Sequence, residues 1–449
     1  MLYEAEKGDI SVLVAGDAMI TKRMSAFREP SFLKLVDVIR AADVSVVNAE
    51  MLFHNFEMSW QGKDSISYQV SDPANLRELT WMGFDVVTTA NNHAYDYSEA
   101  GLLATLQNMK EHNIPQAGGG MDLDHARAPY YLDTPAGRVA VMSATTTYSE
   151  QSPARQGRHD FAGKPGINAV RHSVTHHIKQ DHFKSLSELK DLLGISLREE
   201  AGRQFQPQIP HPLNNDKDLS FLGSSFQLGD GYDVTTHINQ DDMSGISNWI
   251  RGAGKQSDWV VYGVHCHESG NYGEYHGGHR ISPPTHLIEF AHQAIDDGCD
   301  VFFAHGPHAL RGIEIYKGKP IFYSLGNFIF QNEAVQWVPE PAYSGQSLGV
   351  DATPGDWGHQ RSGGGKYGFA GDLVHYRSAV CTVDFSDGKL KEIKIYPIDM
   401  GFQKVIAQRG RPVLAEGESA QWSLERLKEA SKVFGTEIKI EGDVGFVKL

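Results

Sequence analysis

Short β-branched runs alternate with helix-patterned segments through most of this chain, and nearly every run stops at a cluster of polar residues. The runs lie at 10–15, 44–47, 85–89, 139–144, 259–264, 301–304 and 320–325. Between the first two, Phe32, Leu35, Val36 and Ile39 recur at the spacing of one helix face, which predicts a helix over 32–42 with Ser31 as its N-cap. Leu102, Leu103, Leu106 and Met109 predict a second helix, and 285–296 a third. This βαβ rhythm predicts an α/β fold, one domain over 1–449 with two packed sheets under helices. In such folds, sites are built at the carboxyl ends of strands.

The rhythm stops over 148–245, a polar stretch rich in His, Gln, Asp and Ser, with one helix expected at 185–195. It reads as an insertion of the kind that forms a lid or a substrate wall. A Gly-rich loop is expected at 345–371, followed by an antiparallel pair at 378–385 and 390–397. A helix at 424–433 and a short C-terminal strand pair complete the chain.

The clusters are Gly16-Asp17, Asn48-Ala49-Glu50, Asn91-Asn92-His93, His265-Cys266-His267-Glu268, His305-Gly306-Pro307-His308 and Gly326-Asn327. Carboxylate, amide oxygen and imidazole are ligands of hard or borderline divalent cations. Taken singly, each has a plainer reading. Asp17 could cap a turn, and Asn91 or Asp96 could open the next helix. Glu50 is harder to explain that way, because it follows an apolar strand and a buried carboxylate needs a partner or a metal. Six such groups in register point to a metal-dependent hydrolase. Mixed N/O ligation suits Mn, Fe or Zn over Ca.

Charge and composition narrow the function classes. A net charge of −15 over 449 residues argues against a nucleic-acid-binding surface, yet permits an anionic substrate at a bound cation. Cys266, Cys299 and Cys381 are too few and scattered for a disulfide framework. Cys266, which could serve as a soft ligand between two His, is expected instead to point away from them by strand alternation. Residues 1–9 lack a basic region followed by an apolar stretch, and no apolar run reaches the roughly 20 residues of a membrane helix. The expectation is a cytoplasmic chain without a membrane segment. Oligomeric state is not written in the sequence. His172, His176 and His177 read as a solvated face, the first two at helical spacing. No phosphate-loop or Gly-x-Ser-x-Gly context is present.

The run Ala90-Asn91-Asn92-His93-Ala94-Tyr95-Asp96-Tyr97, the pair Asn48/Glu50, the block Ala304-His305-Gly306-Pro307-His308 and the block Tyr323-Ser324-Leu325-Gly326-Asn327-Phe328 resemble the bacterial CapA family. That family is named for capsular poly-γ-glutamate synthesis and is similar to the calcineurin-like metallophosphoesterases. The resemblance implies a four-layer αββα sandwich with a one- or two-metal site at the strand ends. It implies Asp17, Glu50, Asn92, His265, His305 and His308 as metal ligands, with Asn48, His267, Glu268 and Asn327 as further ligands or their supports. It implies His93 as the catalytic acid that protonates the leaving group. Three departures stand out. Met19 occupies the place of a second His, Glu50 replaces an Asp, and two residues, not one, separate His305 from His308.

A divalent ion in such a cluster activates water and polarises a scissile bond, whether phosphate ester or carboxamide. The missing ligand at Met19 favours an amide or ester of a carboxylic acid, γ-glutamyl included, on a small or polymeric anionic substrate. A phosphoesterase is the alternative, and a non-catalytic capsule-assembly protein the other. Asn168 and Arg171 are expected in the pocket wall, Arg171 clamping a carboxylate or lying on the surface.

Overall fold

Two large sheets face each other across a shared apolar core, and the polar clusters meet at one end of both. In the computed structural model, residues 7–61, 67–211, 214–270 and 281–449 are described. The 1–9 stretch read for a leader thus falls partly outside them. The fold is mixed α/β with several sheets.

In the first large sheet, the strand Ile10–Met19 lies between the parallel strand Val44–Ala49 and the antiparallel strand Arg377–Ser386. Val86–Thr88 continues it on one side, and Lys389–Asp399 with Val444–Val447 on the other. The short strand Asn327–Phe330 also pairs with Ile10–Met19 at its carboxyl end. In the second sheet, Trp259–His265 is central, with Gly137–Thr145 and Val301–His305 parallel on either side. Val12, Val14 and Val46 of the first sheet share one core cluster with Val141, Val261 and Phe303 of the second. Fully burying each such side chain contributes about 1.5–3 kcal/mol.

The outer face of the first sheet packs against the helices Pro30–Arg40 and Leu76–Met82 through Phe32, Leu35, Leu79 and Met82. The outer face of the second packs against Gln240–Ala253 and Thr285–Asp296 through Ile246, Ile250, Phe290 and Ala294. Among the described residues, no helix is long and apolar enough to cross a membrane.

Several local expectations are corrected. Ser31 does not cap the first helix. Glu29 holds the N-cap position, and Pro30 at the first helical position supplies the fixed φ that starts the turn. His172 and His176 lie on the strand His172–Ile178, not on a helix. That strand belongs to a four-stranded sheet with Asp218–Phe221, Ser224–Leu228 and Asp233–Ile238. The polar stretch thus carries its own sheet. Two helices, Gln180–Leu192 and Ile195–Phe205, replace the single one expected, because Gly194 turns the chain at φ 68° between them. The Gly-rich 345–371 segment contains the helix Pro354–Arg361, started by a Thr353–Asp356 capping box.

Candidate metal centre

Strand register sets the candidate residues side by side. In the first sheet, Asp17 is level with Asn48 on one neighbour and with Asn327 on the other. In the second, His265 is level with His305 and with Thr145. Two glycines permit the close approach of the loops. A Cβ on Gly16 would meet the Gly326 carbonyl oxygen at 1.8 Å, the same oxygen that accepts from the Asp17 amide. Gly306, at φ 119°, lets the Cys266 backbone pass and donates its amide to Asp17 Oδ2 at 2.8 Å. His308 itself is held at φ 55°, a strained backbone for a non-glycine residue.

Asp17, Glu50, His265, His305 and His308 converge and are buried. Asp17 Oδ1 lies 3.2 Å from His305 Nδ1 and 3.5 Å from His265 Nδ1. Those two ring nitrogens are 2.9 Å apart. On the other side of the same ring, His265 Nε2 is 2.9 Å from His267 Nε2 and 3.5 Å from Glu50 Oε1. His308 Nδ1 sits between the carboxylates, 3.6 Å from Asp17 Oδ2 and 3.7 Å from Glu50 Oε2. Metal–nitrogen distances of about 2.0–2.1 Å put adjacent ligand atoms about 3–3.5 Å apart, close to the 2.9–3.7 Å separations found here.

These atoms form three groups able to hold an ion: Asp17/His265/His305, Glu50/His265/His267 and Asp17/Glu50/His308. A neutral imidazole offers one lone pair, so His265 completes the first group or the second, not both. His267, expected as a further ligand or support, is therefore placed as a ligand candidate. Asn92 follows the Val86–Thr88 strand, and its Oδ1 is buried without a hydrogen bond.

The electrostatics fit a cation. Both Glu50 oxygens and His305 Nε2 are buried and accept or donate no hydrogen bond. Among the described residues, only histidines lie within ion-pair distance of Asp17 and Glu50. Without a cation, burial and then the charge of Asp17 push the Glu50 carboxyl well above its ordinary range. Burial would also raise Asp17, but bonds from His265 and His305 hold it well below the usual carboxylate range. Burial lowers His265 to about 4 and His308 to about 3, with Asp17 opposing, so both rings are neutral at pH 7. Neutral imidazoles are the form that binds metals.

The remaining predicted residues take other positions. Asn48 turns its amide nitrogen to Asp17 Oδ1 at 2.8 Å and its oxygen to Thr88 and Asn91, so it orients the carboxylate. Asn327 donates its amide to the His375 carbonyl, so its Oδ1 accepts from His308 Nδ1 at 2.8 Å, orients that ring and leaves Nε2 as the nitrogen with a lone pair for an ion. Glu268 leaves the cluster and accepts from the Thr146 and Thr147 hydroxyls. Asn168 is fully buried and bonded to the Ser143 carbonyl and the Tyr262 hydroxyl. Arg171 is held bidentate by Asp242 at 2.8 and 2.9 Å, so its guanidinium fork is occupied within the protein. Met19 points into an apolar cluster with Phe330, Tyr376 and Met400.

Asp96, for which the sequence offers only a helix cap, is the partner of His93. His93 Nδ1 lies 2.7 Å from Asp96 Oδ2, which also accepts from the Gln69 amide. His93 Nε2 then faces Glu50 at 3.9 Å. The turn expected at Asn91 forms as well, with Asn91 Oδ1 accepting from the His93 amide. The His-x-x-Asp spacing just after a strand was the signal available in the sequence.

Fold and cluster together define an α/β protein with a buried carboxylate–imidazole centre able to hold a divalent ion. Residues 11–332 match the family described as bacterial capsule synthesis protein PGA_cap, and the chain belongs to that family. The uncharacterized protein y4sH of Sinorhizobium fredii (strain NBRC 101917 / NGR234) is 31% identical over 453 residues, covering 98% of this chain and 93% of that protein. The capsule biosynthesis protein CapA of Bacillus anthracis is 22% identical over 301 residues, 65% of this chain and 53% of that protein. The PGA biosynthesis protein CapA of Bacillus subtilis (strain 168) is 23% identical over 326 residues, 72% of this chain and 63% of that protein.

Proposed function

We propose that this protein is a metal-dependent hydrolase of a carboxylic amide or ester on an anionic substrate, γ-glutamyl compounds included. The observation that carries the reading is the pair of fully buried carboxyl groups, Asp17 and Glu50, which have imidazoles but no Lys or Arg within ion-pair distance among the described residues. Unpaired burial of such groups costs several kcal/mol, and a fold that keeps two of them together gains by binding a cation there. On this reading the fold is a four-layer αββα sandwich of the metallophosphoesterase type, a single domain that carries the 148–245 layer and the 345–371 segment as elaborations. Asp17, Glu50, His265, His305 and His308 would hold the ion, with Asn92 and His267 completing its shell.

When bound, the ion supplies an activated water and a positive field for the developing anion. The rest is the work of the chain itself. Asp96 accepts from His93 Nδ1 and so aims Nε2 at the cluster. From there His93 passes a proton to the departing nitrogen or oxygen as its bond to the acyl carbon breaks. Asn48 and the Gly306 amide keep Asp17 in place for binding. Met19, turned into its apolar cluster, supplies no ligand where a phosphoesterase has one, which supports carboxyl over phosphoryl chemistry. The names of the capsule and PGA biosynthesis relatives support a γ-glutamyl substrate. A hydrolysis screen with added Mn²⁺ tests the proposal, setting γ-glutamyl amides, peptides and lactones against phosphomono- and diesters. Metal-dependent cleavage of an amide or ester, lost in His305→Ala, is expected. Phosphatase activity alone would overturn the substrate class, and no metal-dependent turnover of any compound would favour an assembly role.

A further inference from the structure

We infer that Cys266, Glu268 and His286 form a second cation site, suited to zinc, on the opposite side of the His265–Glu268 segment from the carboxylate cluster. Cys266 Sγ lies 3.2 Å from Glu268 Oε2 and 3.8 Å from His286 Nε2. One ligand atom from each of the three falls within 4.8 Å of the others. The site joins two elements, because His286 is carried by the helix Thr285–Asp296 and the other two follow the Trp259–His265 strand. Strand alternation explains the split: His265 and His267 face Glu50, and Cys266 between them faces the helix.

A thiol bonded to a carboxylate beside a packed histidine is the plainer account, and the histidines argue against it. His286 is fully buried, its Nδ1 has no hydrogen-bond partner, and its Nε2 meets only the sulfur. His172 stacks on it at 4.2 Å between ring centroids and 9° between planes, and its own Nδ1 is also buried and unpartnered. Buried imidazoles in closed structures ordinarily satisfy their nitrogens. Thr146 and Thr147 donate to Glu268, the outer bonding that orients a ligating carboxylate. Glu268 and His172 also line a cavity of about 850 Å³, which gives an ion a way in. Thiolate with imidazole and carboxylate selects zinc over the hard cations, and three protein ligands leave one position open. An ion here would clamp the segment bearing His267 to the helix and so steady the neighbouring centre.

The test is cobalt substitution of the full chain, read by near-ultraviolet absorption and elemental analysis. Only a thiolate-bound Co²⁺ gives a sulfur-to-metal charge-transfer band, and the carboxylate cluster contains no thiol. The other two cysteines lie elsewhere, Cys299 beside Val260 and Val301, and Cys381 in the core between the sheets. The band is expected in the wild-type protein, and its complete loss in Cys266→Ser and in His286→Ala with one fewer ion per chain. His305→Ala, which disrupts the carboxylate cluster, should keep the band, so failure of one site is distinguishable from failure of the other. A saturated wild-type protein without the band overturns the inference without recourse to any variant. A band that survives Cys266→Ser overturns it equally.

Discussion

Replacing Glu50 by Gln should separate the cost of an unpaired buried carboxyl from its value as a ligand. The substitution keeps the volume and removes the ionisable group. In the cation-free protein neither Glu50 oxygen accepts a hydrogen bond, and no Lys or Arg among the described residues pairs with it. Its carboxyl is held above its ordinary 4.5, first by burial and then by Asp17. A carboxyl raised in the fold favours folding below its unfolded value and loses that advantage as pH rises through the folded value. In chelator at pH 7, therefore, Glu50→Gln should be as stable as wild type or more so. Losing a partner from a satisfied buried ion pair would instead cost about 3–5 kcal/mol. With ion at about 100 times the wild-type Kd, wild type should gain about 2.7 kcal/mol. A 10- to 100-fold weaker site in the variant would gain only about 0.4–1.4 kcal/mol. Thermal unfolding with chelator, Mn²⁺ and Zn²⁺ reads both quantities. The reasoning is refuted if the variant is destabilised by about 3 kcal/mol or more in chelator while wild type gains nothing from either ion.

His93→Ala should lower turnover by about 10²–10⁴ with metal content retained. Asp96→Asn should reproduce part of that loss through the ring it orients, and equal activity in both variants and wild type would remove the pair from the chemistry. Arg171→Gln should leave turnover unchanged and cost at most about 1 kcal/mol, since the half-exposed guanidinium is spent on Asp242; a large rise in KM would place it in the substrate wall. The histidines set a pH trend opposite to that of Glu50. His265 and His308 are lowered to about 4 and about 3 in the fold, so the unfolded chain takes up protons first as pH falls below 6.5. In cation-free Glu50→Gln the Tm should therefore be highest above pH 6.5 and fall toward pH 4, and a Tm that rises over that interval would contradict neutral burial of the rings. Gly16→Ala should destabilise by about 1–3 kcal/mol or more, because its methyl meets a carbonyl oxygen that cannot move without breaking the Asp17 amide bond.

What the sequence made legible was the local pattern tied to strand ends. Asp17, Glu50, His265, His305 and His308 each end or follow a β-branched run, and parallel register then sets Asp17 level with Asn48 and Asn327 and His265 level with His305. Helix 285–296 was readable to the residue because Leu287, Phe290, Ala291 and Ala294 keep one apolar face. Contacts made across the fold were not legible. Nothing near Arg171 in sequence announces Asp242, and nothing near Asn168 announces Tyr262. Glu268 and His267 differ by one position, and the direction of the chain after the strand decides which of them faces Glu50. The small sheet within 148–245 does not stand out because each strand is short and carries only two alternating apolar residues, such as Leu219 and Phe221 or Phe226 and Leu228, inside a polar stretch.

The central claim is that a divalent ion binds between Asp17, Glu50 and the surrounding histidines. Anomalous diffraction from crystals grown with Mn²⁺, measured with the manganese signal and without chelator, locates such an ion directly. The account predicts a peak bounded by Asp17, Glu50, His265, His305 and His308, absent in crystals of Glu50→Gln grown alongside at limiting metal. Well-ordered side chains at that position with no anomalous peak in the wild-type protein would contradict it.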